Sequence, residues 1–255
     1  MRGHAKDGPS HDGPGSGVAD ERFGDTGSTS AWVERFVGSE LPPPPARVLE
    51  VGCGTGELAL ALSAGGWRVT AVDPRAPKGG PFVRAAVEDL DAADHAPFDA
   101  AVAVLSLHHG ADLGTMLDRV RSLLRSGGVF VVDEFRKEHL ADRATAAFFY
   151  YQRLSLLYAG RRAGGGGANG GHQTDEDEAS FESWYARISE SRASVHGEWD
   201  IVAALEERFA TRSVSYGPYL FRHGLDAEVE PLERKLIEEG GIRPTGLRWV
   251  GVLAS

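Results

Sequence analysis

The residues best suited to chemistry form a glycine-rich segment, Glu50-Val51-Gly52-Cys53-Gly54-Thr55-Gly56, which lies between an apolar run and a helical pattern. Glycines allow positive φ angles and let a ligand approach the backbone without meeting a Cβ atom. The dinucleotide-binding pattern Gly-x-Gly-x-x-Gly does not fit, because the third glycine, Gly56, comes one residue early. The segment also lacks the Gly-Lys-Ser/Thr of a phosphate-binding loop, and the charge of Glu50 would repel a pyrophosphate. A carboxylate at this position suits a ligand that carries an amino group.

Two further acidic positions follow the next predicted strands. Asp73 lies 17 residues beyond Gly56, where a carboxylate can accept two hydrogen bonds from a ribose diol. Glu88 and Asp89 follow the third predicted strand, where an acidic side chain can accept a hydrogen bond from the exocyclic amine of adenine. Together with Glu50, these positions predict a ligand with an amine, a ribose and an adenine but no phosphate. The alternatives are a helix N-cap for Asp73 and solvated loop carboxylates for Glu88 and Asp89.

Candidate acid–base groups stand at the ends of the fourth and fifth predicted strands. His108 and His109 follow the fourth, where one of them can face a substrate and remove a proton, or can bind a backbone carbonyl instead. Glu134 follows the fifth, and two roles are open to it: contact with the acceptor, or capping of the next helix. Adjacent histidines point apart and the sequence has no His-x-x-x-His pattern, so we predict no metal site.

Aromatic side chains in the second half of the sequence are candidates for a substrate pocket. Tyr150, Trp184 and Tyr185 lie on predicted helices, and Tyr219 lies near the sixth predicted strand together with residues 221–223. Aromatic residues at helical spacing can equally form a hydrophobic core. Cys53 lies inside the glycine segment, and we expect its thiol to pack beneath the loop without acting as a nucleophile.

The elements that must position these residues alternate between strand and helix. Apolar or β-branched runs predict strands at 47–51, 68–72, 82–87, 100–107, 129–132, 211–216 and 247–253. Helical spacing predicts helices at 57–64 and 113–124, around 146–157 and 181–188, and at 201–209 and 232–239. Repeated strand–helix–strand units indicate an α/β fold with a doubly wound, mostly parallel sheet and helices on both faces.

The sequence predicts one domain with two additions. Residues 1–28 are rich in Gly, Ser, Asp and Pro, which predicts a disordered tail. Residues 29–255 form the domain, and the long connection 136–210 is interpreted as a helical lid or substrate-binding insertion, because connections of this length in compact domains usually serve as lids or binding elements.

Four motifs of the sequence carry a resemblance to a known family. In chain order they are the glycine segment, Val69-Thr70-Ala71-Val72-Asp73-Pro74, the stretch from Phe98-Asp99 to Ser106-Leu107-His108-His109, and Leu123-Leu124-Arg125-Ser126-Gly127-Gly128. Over residues 45–135 the chain resembles a class I S-adenosylmethionine-dependent methyltransferase. The resemblance implies a seven-stranded, Rossmann-like sheet with an antiparallel last strand. It also implies that the cofactor lies over the carboxyl ends of strands one to four.

The resemblance also implies roles for individual residues. Glu50 and the backbone of 52–56 would face the methionine part, Asp73 the ribose, and Glu88 with the Val87 backbone the adenine. The full set of implied cofactor-binding residues is Glu50, Gly52, Cys53, Gly54, Thr55, Gly56, Asp73, Pro74, Val87, Glu88, Asp89 and Leu105. The product of such a reaction would be S-adenosylhomocysteine.

Composition narrows the range of partners. The formal net charge of -10 disfavours binding to the phosphate backbone of a nucleic acid or to an anionic membrane. The apolar runs have the length of strands, which is too short to span a membrane. The sequence has a single cysteine, and its N-terminal segment lacks the apolar core of a signal peptide. Both features predict a cytoplasmic protein. We therefore expect a small-molecule acceptor, with no nucleic acid and no membrane; a monomer and a homodimer both fit the sequence.

The leading hypothesis is in-line methyl transfer from the sulfonium to an oxygen or nitrogen atom of a small organic acceptor, with His108, His109 and Glu134 as catalytic candidates. A second hypothesis keeps the cofactor without the transfer, as in a cyclase or isomerase of this fold. A third is a non-catalytic binding protein with a sealed crevice. An NAD-dependent oxidoreductase is opposed by the glycine spacing.

Overall fold

The computed structural model describes residues 29–163, 180–190, 196–225 and 227–254. Its strands are β1 Arg47–Val51, β2 Arg68–Val72, β3 Phe82–Val83, β4 Phe98–Val104, β5 Leu124–Phe135, β6 Ala210–Gly217 and β7 Gly246–Val252. Its helices are α1 Thr29–Glu40, α2 Glu57–Ala64, α3 Ala92–His95, α4 Leu113–Leu123, α5 Arg143–Ala163, α6 Phe181–Glu190, α7 Glu198–Glu206 and α8 Glu230–Glu238. Short 3-10 turns occupy Val87–Asp89, Leu107–His109, Lys137–Ala141, Leu220–Arg222 and Ala227–Val229.

All seven strands join one sheet in the order β3-β2-β1-β4-β5-β7-β6. Strands β1 to β5 pair in parallel, whereas β7 is antiparallel to both of its neighbours, β5 and β6. The predicted doubly wound sheet with an antiparallel last strand is confirmed. The strand order reverses between β1 and β4, and ligands of open α/β sheets bind at the carboxyl ends of the strands at such a point.

The sheet is covered on both faces, and β4 shows how the strand sequence achieves this. Ala101 and Ala103 pack into a core that includes α4 and α7, while Ala100 and Val102 pack into a second core beneath α1 and α2. Alternate side chains of a strand point to opposite faces, so a strand that is apolar at every position is buried on both sides. The central strands are thereby held rigidly beneath the crevice.

Two predicted strands end earlier in the structure than the sequence predicts. The strand predicted at 82–87 pairs with β2 only at Phe82 and Val83, because the N–H of Ala85 donates to the carbonyl of Val83 and turns the chain. Val87 then begins a 3-10 turn and is buried in the core. The strand predicted at 100–107 ends at Val104, because Leu105 has a φ of 52°.

Strand β5 is longer than predicted at both ends. Leu124, predicted to end a helix, pairs with Phe98 of β4, and Glu134, predicted to follow the strand, pairs with Leu247 of β7. The antiparallel pairing with β7 extends from Val129 to Phe135. Pairing with a strand more than one hundred residues away therefore sets the end of β5, which no local pattern could predict.

Between β5 and β6 the structure describes helices α5, α6 and α7. The assignment of 136–210 as a lid stays a prediction, as does the division into one domain and a tail. The predicted tail, 1–28, lies outside the described residues.

Candidate functional site

A cavity of about 310 Å³ lies at the carboxyl ends of β1 and β4, at the reversal point of the sheet. Its walls are formed by helix α1, the glycine segment, the start of α2, the end of β4 and the turn after β6. The lining residues are Val33, Glu34, Glu50, Gly52, Cys53, Thr55, Glu57, Leu58, Val104, Leu105 and Arg222. Five predicted cofactor residues are among them: Glu50, Gly52, Cys53, Thr55 and Leu105.

Glu50 is a buried carboxyl group in the wall of this cavity. It is only 4% exposed because β1 is flanked by β2 and β4, which pair with it through Ala71 and Val102. Its Oε2 atom has no hydrogen-bond partner among the described residues, and burial raises the pKa of Glu50 to about 8. A buried acceptor without a donor is unfavourable, and an ammonium group in the cavity would relieve the cost. Glu50 therefore fits the amino group that the sequence predicts.

The glycine segment requires backbone conformations that side chains disfavour. Gly52 has a φ of +72°, and a Cβ atom there would collide with the side chain of Ser106. Gly54 has a φ of +53°, and a Cβ atom there would meet nothing within 4 Å. The N–H groups of Gly52 and Cys53 both donate to the carbonyl of Val72, which anchors the segment to β2. Gly52 is thus required by packing, while the space beside Gly54 is open to a ligand.

Asp73 lies beside the glycine segment. Its Oδ2 accepts the N–H of Gly54 at 3.2 Å, and its Oδ1 accepts the N–H of Arg75 at 2.7 Å. The bond to Arg75 closes a local turn, and no described helix begins here, so Asp73 is not the helix N-cap considered as an alternative. Each carboxylate oxygen can accept a further hydrogen bond, which keeps Asp73 available to a diol.

The remaining predicted cofactor residues do not line the cavity. Gly56 is the N-cap residue of α2, and Pro74 is exposed in the turn after Asp73. Val87 is buried, Glu88 is half-buried and Asp89 is exposed. Their roles in cofactor binding stay predictions. The acidic 3-10 turn at 87–89 follows β3 in the chain, as the sequence predicts.

Glu134 is fully buried and holds the turn that follows β4. Its Oε1 accepts the N–H groups of Ser106 and Leu107 at 2.9 and 2.7 Å, and its Oε2 lies 2.8 Å from Nδ1 of His108. Glu134 thus caps the 3-10 turn Leu107–His109 rather than the helix that follows it in the chain, and contact of its buried carboxylate with the acceptor stays a prediction. Binding at Nδ1 orients the imidazole and leaves Nε2 for a substrate.

His109 stands next to His108, with ring centroids 4.0 Å apart. Desolvation and the charge of His108 lower the pKa of His109. Unlike His108, it is exposed and has no bond to Glu134. Of the two histidines, His108 has the carboxylate partner that typically supports a general base.

Leu105 links the histidine turn to the cavity that it lines. Among the described non-glycine residues, it is the one with a positive φ, and its N–H donates to the carbonyl of Asp133 at 2.9 Å. Left-handed backbone at a side-chain-bearing residue is costly and concentrates at functional sites. The strained position at the end of β4 is consistent with a ligand-facing role.

A second carboxylate, Glu233 of α8, holds the turn after β6. Its two oxygens accept the N–H groups of Tyr219, Leu220 and Phe221 at 2.7, 2.9 and 3.0 Å. Burial raises the pKa of Glu233 to about 7. Sequence analysis missed this residue, and the helix pattern misleads, because Leu232 is 44% exposed while Glu233 is 0% exposed.

The predicted substrate-binding aromatics divide into two groups. Tyr150 and Trp184 pack between α5 and α6 with centroids 5.3 Å apart, and the hydroxyl of Tyr185 donates to the carbonyl of Ala141. These three residues build the helix pair and do not line the described cavity. Tyr219 is also buried, stacked 5.3 Å from Phe135, and its hydroxyl has no partner among the described residues.

Cys53 is buried, and desolvation together with the charges of Glu50 and Asp73 raises the pKa of its thiol to about 12. A thiol in this state is a poor nucleophile.

Comparison with known proteins places this geometry in a family. A family model described as a methyltransferase domain matches residues 25–186 of the chain. The chain belongs to this methyltransferase family. Its fold is also that of an S-adenosylmethionine-dependent methyltransferase from Mesorhizobium loti, which superposes with a TM-score of 0.51 at 20% identity and covers 89% of this chain and 100% of that one. The prediction of a class I methyltransferase is confirmed at the level of family and fold.

Curated relatives of the methyltransferase include two enzymes named ubiquinone biosynthesis O-methyltransferase. The one from Xylella fastidiosa (strain 9a5c) is 34% identical over 116 residues, which are 40% of this chain and 47% of that protein. The one from Xanthomonas axonopodis pv. citri (strain 306) is 35% identical over 110 residues, which are 36% of this chain and 44% of that protein. The match thus spans about half the length of these relatives.

Neither a membrane-spanning helix nor a group of metal ligands is found in the described residues of the methyltransferase. None of its described helices is both long and apolar enough to cross a membrane. Within the same residues, no three His, Cys, Asp or Glu side chains are grouped as ligands of a metal ion.

Proposed function

We propose that this chain transfers a methyl group from S-adenosylmethionine to a hydroxyl group of a small organic molecule. The observation that carries the proposal is the pairing of His108 with the buried carboxylate of Glu134, next to a cavity in which Glu50 lacks a donor. The two parts are joined directly, because a Cβ atom at Gly52 would touch Ser106, whose N–H binds Glu134. The names of the curated relatives, which are O-methyltransferases, support a hydroxyl acceptor.

The residues of the crevice fit the proposed cofactor part by part. Glu50 would accept hydrogen bonds from the ammonium group, since its buried Oε2 has no other donor among the described residues. The open space beside Gly54 admits the ligand close to the backbone. Asp73, tied to that same glycine, would accept the ribose hydroxyls, and Glu88 is proposed to bind the adenine.

When bound, S-adenosylmethionine supplies a methyl group on a positively charged sulfur that becomes neutral as the methyl leaves. The protein therefore has no departing anion to stabilise, and its main task is to align donor and acceptor, which can contribute roughly 7–11 kcal/mol. His108 would accept at Nε2 the proton of the attacking hydroxyl, and the bound cofactor would supply the methyl group that the hydroxyl oxygen receives. Glu134 stabilises the resulting imidazolium through Nδ1.

The test is a transfer assay with a panel of phenols and catechols and a matched panel of anilines. We expect S-adenosylhomocysteine to be released together with an O-methylated product. His108→Gln should lower kcat by about 100-fold or more, since a general base contributes on this order. His109→Gln, which alters the neighbouring exposed ring, should retain most of the activity.

Each other outcome excludes a part of the proposal. Methylation of anilines alone would exclude the hydroxyl acceptor. Conversion of a substrate without release of S-adenosylhomocysteine would support the cyclase or isomerase hypothesis. Equal activity of the His108→Gln and wild-type proteins would exclude His108 as the base.

A further inference from the structure

The cavity has an acidic wall and one cationic group. Its described lining residues include three carboxyl groups, those of Glu34, Glu50 and Glu57, and one guanidinium group, that of Arg222. Any amino acid moiety that enters this cavity brings a carboxylate as well as an ammonium group. The acidic side chains favour the ammonium and disfavour the carboxylate, so the carboxylate needs a cation.

Arg222 is held in a fixed position by its neighbours. Its side chain is 6% exposed, and its Nη1 atom donates to both oxygens of Asp133 at 2.9 and 3.1 Å. The guanidinium lies over the rings of Tyr219 and Trp32, at 4.3 and 5.1 Å from their centroids. Contacts of this kind with two rings and a carboxylate restrict the rotamers of a long side chain, so little entropy is lost when it binds a ligand.

The bonds to Asp133 use one nitrogen of Arg222. The Nε and Nη2 atoms donate to no described residue, although a guanidinium has five N–H groups in a planar fork. These two atoms are not among the fully buried polar atoms that lack a partner, so they keep some exposed surface, and Arg222 lines the cavity. A carboxylate is the ligand that this fork matches best.

A carboxylate of helix α8 also fixes the backbone that leads into Arg222. Glu233 accepts the N–H groups of Tyr219, Leu220 and Phe221, the three residues that precede Arg222. The guanidinium is therefore set by Asp133 of β5 and, through this turn, by Glu233 of α8.

We infer that Arg222 binds the carboxylate of the cofactor's amino acid moiety, as the counterpart of Glu50 for the ammonium group. The inference rests on the proposed function, because it takes S-adenosylmethionine as the ligand. It assigns a cofactor-binding residue that lies far outside the glycine segment, in the turn after β6. The cofactor would thereby link β1 to the β6–α8 turn.

The inference is tested by a cycle of two ligands and two proteins. The ligands are S-adenosylhomocysteine and its decarboxylated analogue, which differ only in the carboxylate, and the proteins are the wild type and Arg222→Gln. We expect the wild type to bind the analogue about 10- to 100-fold more weakly than S-adenosylhomocysteine, because hydrogen bonds to charged groups are worth this much. Arg222→Gln should bind the two ligands with affinities within about threefold of each other.

A matched control is Arg212→Gln. Arg212 lies on β6, and its side chain is half exposed and pairs with Glu40. This control should keep the wild-type preference for the carboxylate. If Arg222→Gln keeps that preference as well, the inference is overturned. If Arg222→Gln does not fold, a crystal structure of the wild type with S-adenosylhomocysteine decides, since a carboxylate beyond hydrogen-bonding distance of Arg222 overturns the inference.

The two proposals fail in different ways. If the wild type binds neither ligand, the proposed function fails. If the wild type binds both ligands equally well, the cofactor assignment stands and only the role of Arg222 is lost.

Discussion

Replacing Glu50 by glutamine should stabilise the empty protein and weaken cofactor binding at the same time. In the folded protein, burial raises the pKa of Glu50 from its usual 4.5 to about 8. The folded state therefore holds this proton more tightly than the unfolded state. As the pH rises from 4.5 to about 8, the unfolded state ionises first, and folding stability falls through this window.

The size of the effect follows from the two pKa values. A tenfold change in a proton-binding constant corresponds to about 1.4 kcal/mol, so the gap between 4.5 and about 8 amounts to a loss of about 5 kcal/mol once the pH exceeds the upper value. Glu50→Gln carries no titrating group and should escape the loss. Glu57→Gln is a suitable control, because Glu57 lines the same cavity but is exposed.

The assay is urea unfolding of the three proteins without ligand, at pH values on either side of this window. We expect the wild type and Glu57→Gln to lose stability relative to Glu50→Gln as the pH rises. In calorimetric titrations near neutral pH, the wild type should also release close to one proton when the ammonium of S-adenosylhomocysteine pairs with Glu50, and Glu50→Gln should release none. Identical pH dependence of stability in all three proteins would refute the reasoning.

Asp73→Asn should weaken binding of S-adenosylhomocysteine about tenfold by calorimetry, because the amide offers one acceptor oxygen in place of two; unchanged affinity would exclude a ribose contact. Gly52→Ala should lower the free energy of unfolding by about 2–4 kcal/mol, because of the clash with Ser106 and the positive φ. Gly54→Ala should lower it by only about 1–2 kcal/mol and should mainly reduce ligand affinity. Equal losses of stability in urea unfolding of the two variants would contradict this prediction. Glu134→Gln should lower kcat by about 10- to 100-fold with little change in KM, because it weakens the support of the base; a change confined to KM would contradict that role.

The parts of the crevice whose position in the fold agrees with the sequence are those encoded by neighbouring residues. The glycine segment carries its own conformational requirement, and Asp73 follows a β-branched strand by one residue. Such local patterns also predict β1, β2 and α2 with the bounds that the structure has. The order of these elements then places the crevice, since parallel strands bring their carboxyl ends to one edge of the sheet.

The contacts that the sequence does not predict join distant segments of the chain. The partners of Glu134 are set by the length of β5, which in turn depends on pairing with β7. Arg222 faces the cavity because Asp133, 89 residues earlier, fixes its guanidinium. Glu233 is buried although its neighbour Leu232 is exposed, which reverses the pattern expected of an amphipathic helix.

The central claim is that the crevice binds an adenosyl amino acid without a phosphate. Calorimetric titration of the wild-type protein with S-adenosylmethionine, and in parallel with NAD, tests it most directly. We predict saturable binding of one S-adenosylmethionine per chain and no binding of NAD. Absence of S-adenosylmethionine binding at millimolar concentration, or tight binding of NAD, would contradict the account.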